Sequence, residues 1–301
     1  MLTWIYQLWY YYFANVDVLR FNFKGIKNLP DNLPRNLKIL YCNTNGISSL
    51  PDNLPKHIHE LYCSDNIITK LPDHLPTNMT MLDCNNNLLT ALPNTLPSGL
   101  YTLWCSRNKL NSLPDNLPQN LHTLHCYSNQ LTSLPGNLPQ SLQKIWCFDN
   151  QLTALHNNLP NSLEILHCYG NQLTTLPNNL PCHLQTLVCN YNQLTILPDL
   201  PSSLICLGLH NNPLEINYPK IYTFEYNHWI WPEIYDNPRQ VIAYVNACNS
   251  QRRTQMRARA IARELTEVYY RQTLHPSRLA YLLDNPEEDP NDFMDKLSSN
   301  I

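Results

Sequence analysis

From Val16 to Pro213 the apolar positions of the chain fall into one arrangement that returns every 21 residues. In the turn LHTLHCYSNQLTSLPGNLPQS, residues 121–141, apolar side chains stand at Leu121, Leu124, Cys126, Leu131, Leu134 and Leu138, and Asn129 interrupts them. Units of this kind begin at Val16, Leu37, Ile58, Met79, Leu100, Leu121, Leu142, Leu163, Leu184 and Leu204. Self-similarity at such a period marks a solenoid, in which no unit buries its apolar face alone and each leans on its neighbours. The L-x-C step alternates, so Leu124 and Cys126 are predicted to face a core while His125 and Tyr127 face away. Each unit then contributes one short strand to a continuous parallel sheet.

Asn129 and its equivalents (Asn45, Asn66, Asn87, Asn108, Asn150, Asn171, Asn192, Asn212) follow the strand where the chain turns. A buried amide with two donors and an acceptor is suited to satisfying backbone groups of adjacent turns. The return arm carries Leu-Pro pairs, and 17 of the 24 prolines lie in these arms. Proline offers no donor and holds φ near polyproline II, so the convex side is predicted to be extended, with little helix between Pro30 and Pro201. The first unit is degenerate, with Phe21 at the cysteine position and Lys24 at the asparagine position; the last has Leu209 for cysteine and arrives one residue early.

The L-x-x-L-x-C-x-x-N-x-L core resembles that of the leucine-rich repeat family over about two thirds of the chain. Its L-P-x-x-L-P-x-x arm resembles the short class found in bacterial type III effectors and giant DNA virus proteins. It departs from the effectors by one inserted residue, as in LPDNLP and LPNNLP. The resemblance implies a leucine-rich repeat solenoid with a curved parallel β-sheet on the concave side and extended, polyproline II-like convex arms. It also implies a non-enzymatic scaffold for protein–protein recognition, an effector acting in a host cell. Related effectors can carry a ubiquitin ligase domain with a catalytic Cys-x-Asp motif, which makes a component of ubiquitin machinery the alternative. Here Cys248 is followed by Asn249 and Ser250, and fewer than ninety residues follow the last repeat, which counts against a ligase.

Eleven cysteines suggest disulfides until their spacing is read. Cys42, Cys63, Cys84, Cys105, Cys126, Cys147, Cys168 and Cys189 stand 21 residues apart, a ladder of small core residues rather than a pairing scheme. Cys182, Cys206 and Cys248 lie off it. No C-x-x-C, H-E-x-x-H or phosphate-cradling glycine loop occurs, so no catalytic residue, metal or cofactor is expected. A formal charge of -3 predicts no bulk attraction to nucleic acid or to an anionic membrane. The aromatic opening segment lacks the basic start of a signal peptide, and the chain is read as intracellular and reduced.

What varies between units is the outward face. The position before the cysteine reads Tyr41, Tyr62, Asp83, Trp104, His125, Trp146, His167, Val188, and the position after it reads Asn43, Ser64, Asn85, Ser106, Tyr127, Phe148, Tyr169, Asn190. Trp104, His125, Tyr127, Trp146, Phe148, His167 and Tyr169, with Tyr62 further along, are the candidate binding residues for a protein partner, since rings of this kind anchor interfaces. Cross-strand stacking that stiffens the sheet is the competing role. His125 and His167 stand two strands apart, too far to share a metal, and titration near neutral pH is expected of them.

Three regions follow. Residues 1–15 form an aromatic N-terminal cap, residues 16–213 the solenoid of about ten units, and residues 214–301 a C-terminal α-helical flank that caps it. In that flank, Arg239, Arg252, Arg253, Arg257, Arg259, Arg263, Arg271 and Arg278 precede an acidic stretch holding Asp284, Glu287, Glu288, Asp289, Asp292 and Asp295. Mutual pairing of the two is the expectation, with nucleic-acid association through the arginine helix as the alternative. A helix break is expected near Asn249.

Overall fold

The computed structural model describes residues 16–30, 32–214, 242–243, 245–257 and 260. The aromatic opening segment and the acidic tail lie outside the described residues. The chain divides into two compact units, Met1–Asn246 and Ala247–Ile301.

The first unit holds ten strands of three residues each. They are β1 (Val18–Arg20), β2 (Ile39–Tyr41), β3 (Glu60–Tyr62), β4 (Met81–Asp83), β5 (Thr102–Trp104), β6 (Thr123–His125), β7 (Lys144–Trp146), β8 (Ile165–His167), β9 (Thr186–Val188) and β10 (Cys206–Gly208). They pair in sequence order as one ten-stranded parallel sheet. The register is unvarying: Leu103 stands beside Leu124, and Leu124 beside Ile145. Only the central residue of each strand faces the core, and the cysteine follows the strand rather than ending it. Backbone pairing nevertheless continues through the cysteine, as Cys126 N donates to Trp146 O at 2.8 Å.

Each arm returns by the same device. The second proline of the Leu-Pro pairs opens a turn that the next leucine closes, as Leu121 N donates to Pro118 O at 3.0 Å. Proline loses nothing there because only its carbonyl is used. Among the described residues the arms contain no helix, as the proline spacing predicts.

The core is the stack of Leu, Ile and Cys positions, with Leu124, Cys126 and Leu131 fully buried. Phe21 packs partly buried at the cysteine position of the first unit, and Leu209 fills it in the last. Two residues beyond each cysteine the backbone is left-handed, at Thr44, Asp65, Asn86, Arg107, Ser128, Asp149 and Tyr191, with φ between 50° and 56°. Gly170 alone in that column carries no side chain, and a Cβ there would press on the Asp149 carboxylate.

Residues 242–243 and 245–246 are helical and belong to the first unit, where Ile242 and Val245 are buried in the core cluster. Asn246 fastens this segment to the arm of the ninth repeat: its Oδ1 accepts from Leu200 N at 2.9 Å and its Nδ2 donates to Leu200 O at 3.0 Å. Of the second unit, residues 247–257 and 260 are described, all helical. The break expected near Asn249 is absent. Asn249 is a weak helix former but not a breaker, and Thr254 Oγ1 bonds back to Ser250 O at 3.0 Å without disturbing the helix. Arg252, Arg253 and Arg257 lie exposed on it, while the acidic residues predicted to pair with them fall outside the described residues.

Candidate functional site

The side of the sheet facing away from the leucines carries two rows of side chains, set by the strand register. The first row is the last residue of each strand; the second lies just beyond the cysteine. In the first row Trp104 stacks on His125 with centroids 5.3 Å apart and planes 11° from parallel. His125 meets Trp146 edge-on at 4.1 Å, and Trp146 meets His167 edge-on at 5.8 Å. In the second row Tyr127, Phe148 and Tyr169 form a parallel stack with steps of 4.2 and 4.3 Å. The rows touch where His125 tilts against Tyr127 at 6.3 Å. The seven rings expected to form one patch are therefore together.

Tyr62 is not part of it. Asp83 separates it from Trp104 in the register, and Tyr62 stacks instead on Tyr41 at 4.6 Å, with Arg20 Cζ 4.3 Å above the other side of the Tyr41 ring. The Tyr62 hydroxyl donates to Glu60 Oε2 at 3.0 Å, and burial with this neighbour raises it to about 12. Arg20 and Asp83 belong to this row; the sequence marks Asp83 as an outward position but not as a binding candidate, and does not single out Arg20, although the register that carries the rings carries both.

The rings are half-buried rather than exposed, because each covers a face of the next, and His167 is buried. This self-cover decides the electrostatics. Burial lowers His125 from its ordinary value to about 4, helped by His167 and Lys144, and burial lowers His167 to about 4. Both are neutral through the physiological range, so the expectation of titration near neutral pH is overturned. Desolvation disfavours the imidazolium in both. Trp104 Nε1, Ser106 Oγ and His125 Nε2 are buried without a hydrogen-bond partner.

Behind the rows the repeat is chemically closed. Asn129 Nδ2 donates to Cys105 O and Cys126 O at 3.1 Å each, and Asn129 Oδ1 accepts from Leu110 N at 3.0 Å. The same set recurs at Asn66, Asn87, Asn150 and Asn171. The ladder cysteines are fully buried; burial pushes Cys105 and Cys147 up to about 12 and Cys126 well above the usual thiol range. Cys105 Sγ donates to His125 O at 3.3 Å. A thiol held neutral in this way is a packing residue with a weak donor, not a nucleophile. Among the described residues no group of three or more His, Cys, Asp or Glu is placed to hold a metal ion.

Comparison with solved structures matches this architecture. The chain is 34% identical to YopM from Yersinia enterocolitica over 67% of its own length and 48% of that chain, with a TM-score of 0.58. YopM of Yersinia pestis, a leucine-rich effector protein, gives 34% identity over 62% of this chain and 51% of that one, with a TM-score of 0.56. This chain is a leucine-rich repeat protein. It spans about half the length of the YopM chains it matches. A match also occurs to a chain of the LRIM1/APL1C complex, at 26% identity over 63% of this chain and 43% of that one, with a TM-score of 0.55. No family model and no curated protein sequence matches the chain. Among the described residues of this leucine-rich repeat protein, no helix is long and apolar enough to cross a membrane. Cys248 lies half-buried in the helical residues 247–257.

Proposed function

We propose that this leucine-rich repeat protein is a recognition scaffold that binds a protein partner on the ring-bearing face of its sheet, as an effector inside a host cell. The observation that supports this most is the double row from Trp104 to Tyr169, an aromatic surface in which Trp104 Nε1 and His125 Nε2 lack partners. An unpaired buried donor or acceptor costs about 1–3 kcal/mol, a cost that a docking partner able to reorient the rings relieves. Sheet stiffening by stacking accounts for the rings but not for the unpaired atoms. The similarity to YopM, an effector, supports the host-directed part of the reading.

The test is affinity purification with mass spectrometry from host-cell extract. A chain carrying Trp104→Ala, Tyr127→Ala and Trp146→Ala is compared with the unaltered chain, with circular dichroism as the folding control. Loss of specific partners from a folded variant is the expected result. A folded variant that keeps every partner removes the reading.

A further inference from the structure

The first row contains a gap with a chemistry of its own. Along it the side chains run Arg20, Tyr41, Tyr62, Asp83, Trp104, His125 in register. Tyr62 lies nearly parallel to Tyr41, at 9°, so one face of its ring is covered and the other turns toward the Asp83 strand. Trp104 lies nearly parallel to His125, at 11°, so its uncovered face turns toward the same strand from the opposite side. Two ring faces thus oppose each other across one short acidic residue. Tyr62 and Trp104 are two strand steps apart, about 9.6 Å, which leaves a planar group midway within about 5 Å of each ring.

The floor of the gap is polar and small. Asp83 is 6% exposed; its Oδ1 accepts from Asn85 N at 3.1 Å, and it takes a second bond from the Ser64 side chain. The second row offers only Ser64, Asn85 and Ser106 beside it, with no ring before Tyr127, and Ser106 Oγ is buried and unpartnered. Glu60 stands on the strand of Tyr62, its carboxylate on the Tyr62 hydroxyl. Neither Asp83 nor Glu60 forms an ion pair among the described residues, where the pairs are Lys38 with Asp17 and Lys70 with Asp73. Burial raises Asp83 above the usual carboxylate range, the mark of a carboxylate without a cation to balance it.

The same row shows what completes such an arrangement. At its other end the Tyr41–Tyr62 stack is closed by the guanidinium of Arg20, 4.3 Å over the Tyr41 ring. A guanidinium is planar, stacks on aromatic faces and donates in a fork to carboxylate and hydroxyl oxygens; an ammonium is drawn to an aromatic face as well but has neither the plane nor the fork. We propose that the gap is an arginine socket, in which the guanidinium of an arginine on a protein partner enters between Tyr62 and Trp104 and lies over the Asp83 carboxylate. The socket rests on the recognition reading for its occupant being a protein, and narrows that partner to one presenting an arginine on a projecting segment. Trp104 is shared, so the ring patch and the socket form one continuous surface.

The probe is an acetylated, amidated Gly-Arg-Gly peptide, titrated into the full chain and followed by NMR at the Trp104 indole. Gly-Lys-Gly and Gly-citrulline-Gly peptides serve as comparisons. Saturable shifts with the arginine peptide, at least about fivefold weaker with lysine or citrulline, are expected. Asp83→Asn keeps the acceptor for Asn85 N and leaves the melting temperature equal or higher, yet weakens the arginine peptide about tenfold. Citrulline binding as well as arginine, or an unchanged affinity in Asp83→Asn, overturns the socket. Those results leave the loss of partners from the triple ring variant standing, while retention of every partner by a chain carrying only Tyr127→Ala and Trp146→Ala, with Tyr62 and Trp104 intact, alongside arginine-specific binding removes the ring reading and keeps the socket.

Discussion

The two sides of the sheet are built from the same repeats and obey opposite rules. Behind the strands, the Leu, Cys and Asn positions return at each turn from β2 to β9, and each asparagine is bonded on both of its functional atoms. In front, no two successive strands from β3 to β9 end in the same residue, rings alternate with imidazoles, and buried polar atoms go without partners. Closure on one side makes the scaffold; openness on the other leaves free energy for a ligand to recover. The surface proposed for recognition is therefore made of the positions where the period fails to repeat.

The sharpest way to test this contrast is to remove one rung behind the sheet. Asn150→Ala leaves Leu131 N, Cys126 O and Cys147 O without their side-chain partners. A loss of about 3–5 kcal/mol is expected in urea unfolding. The same experiment on Phe148→Leu, one turn position away on the front face, should cost only about 1 kcal/mol, since it removes stacking on Tyr127 and Tyr169 but no buried bond. Equal losses would erase the distinction.

Acid comes next. His125 and His167 are near 4 when folded and near their ordinary 6.5 when unfolded, so the unfolded chain binds more protons between those values. Stability is then complete above about pH 6.5, falls as pH drops, and has lost its full contribution near pH 4. The expected loss is about 3 kcal/mol for each histidine. His210, lowered by burial, acts in the same direction. Urea midpoints at pH 7.5 and 4.5 check it, and a variant carrying His125→Gln and His167→Gln should show a flatter profile. The smallest effect concerns the left-handed column. Ser128→Gly relieves φ 51° and should raise stability by about 0.5 kcal/mol, visible as a small rise in melting temperature.

Much of this was readable from spacing. A period held over ten units determines which residues share a row, so the core ladder, the asparagine bonds, the prolines' extended arms and the seven-ring patch all follow from position in the unit. What spacing does not carry is how a side chain's neighbours cover it. Tyr62 falls outside the patch because Asp83 is too short to continue the row of rings. The histidines are neutral because burial removes them from water, a property of neighbouring turns rather than of any one turn. The unbroken helix at Asn249 reflects a different limit: a weak former inside a long helical run is outvoted by its neighbours.

The asparagine column has one more consequence. Its amide always reaches back, never forward: Asn150 serves Leu131 and Cys126 of the preceding turn, and Asn45 serves Ile26 and Phe21. Ten strands thus need nine asparagines, and the unit of β1, which follows no other described strand, is the one that has Lys24 instead. A duplicated 63-nucleotide segment from anywhere inside the array would arrive carrying its own adhesive and require no edit in the units on either side. The length of this molecule is a quantity that copying errors can change one step at a time, while its ends must be made to order.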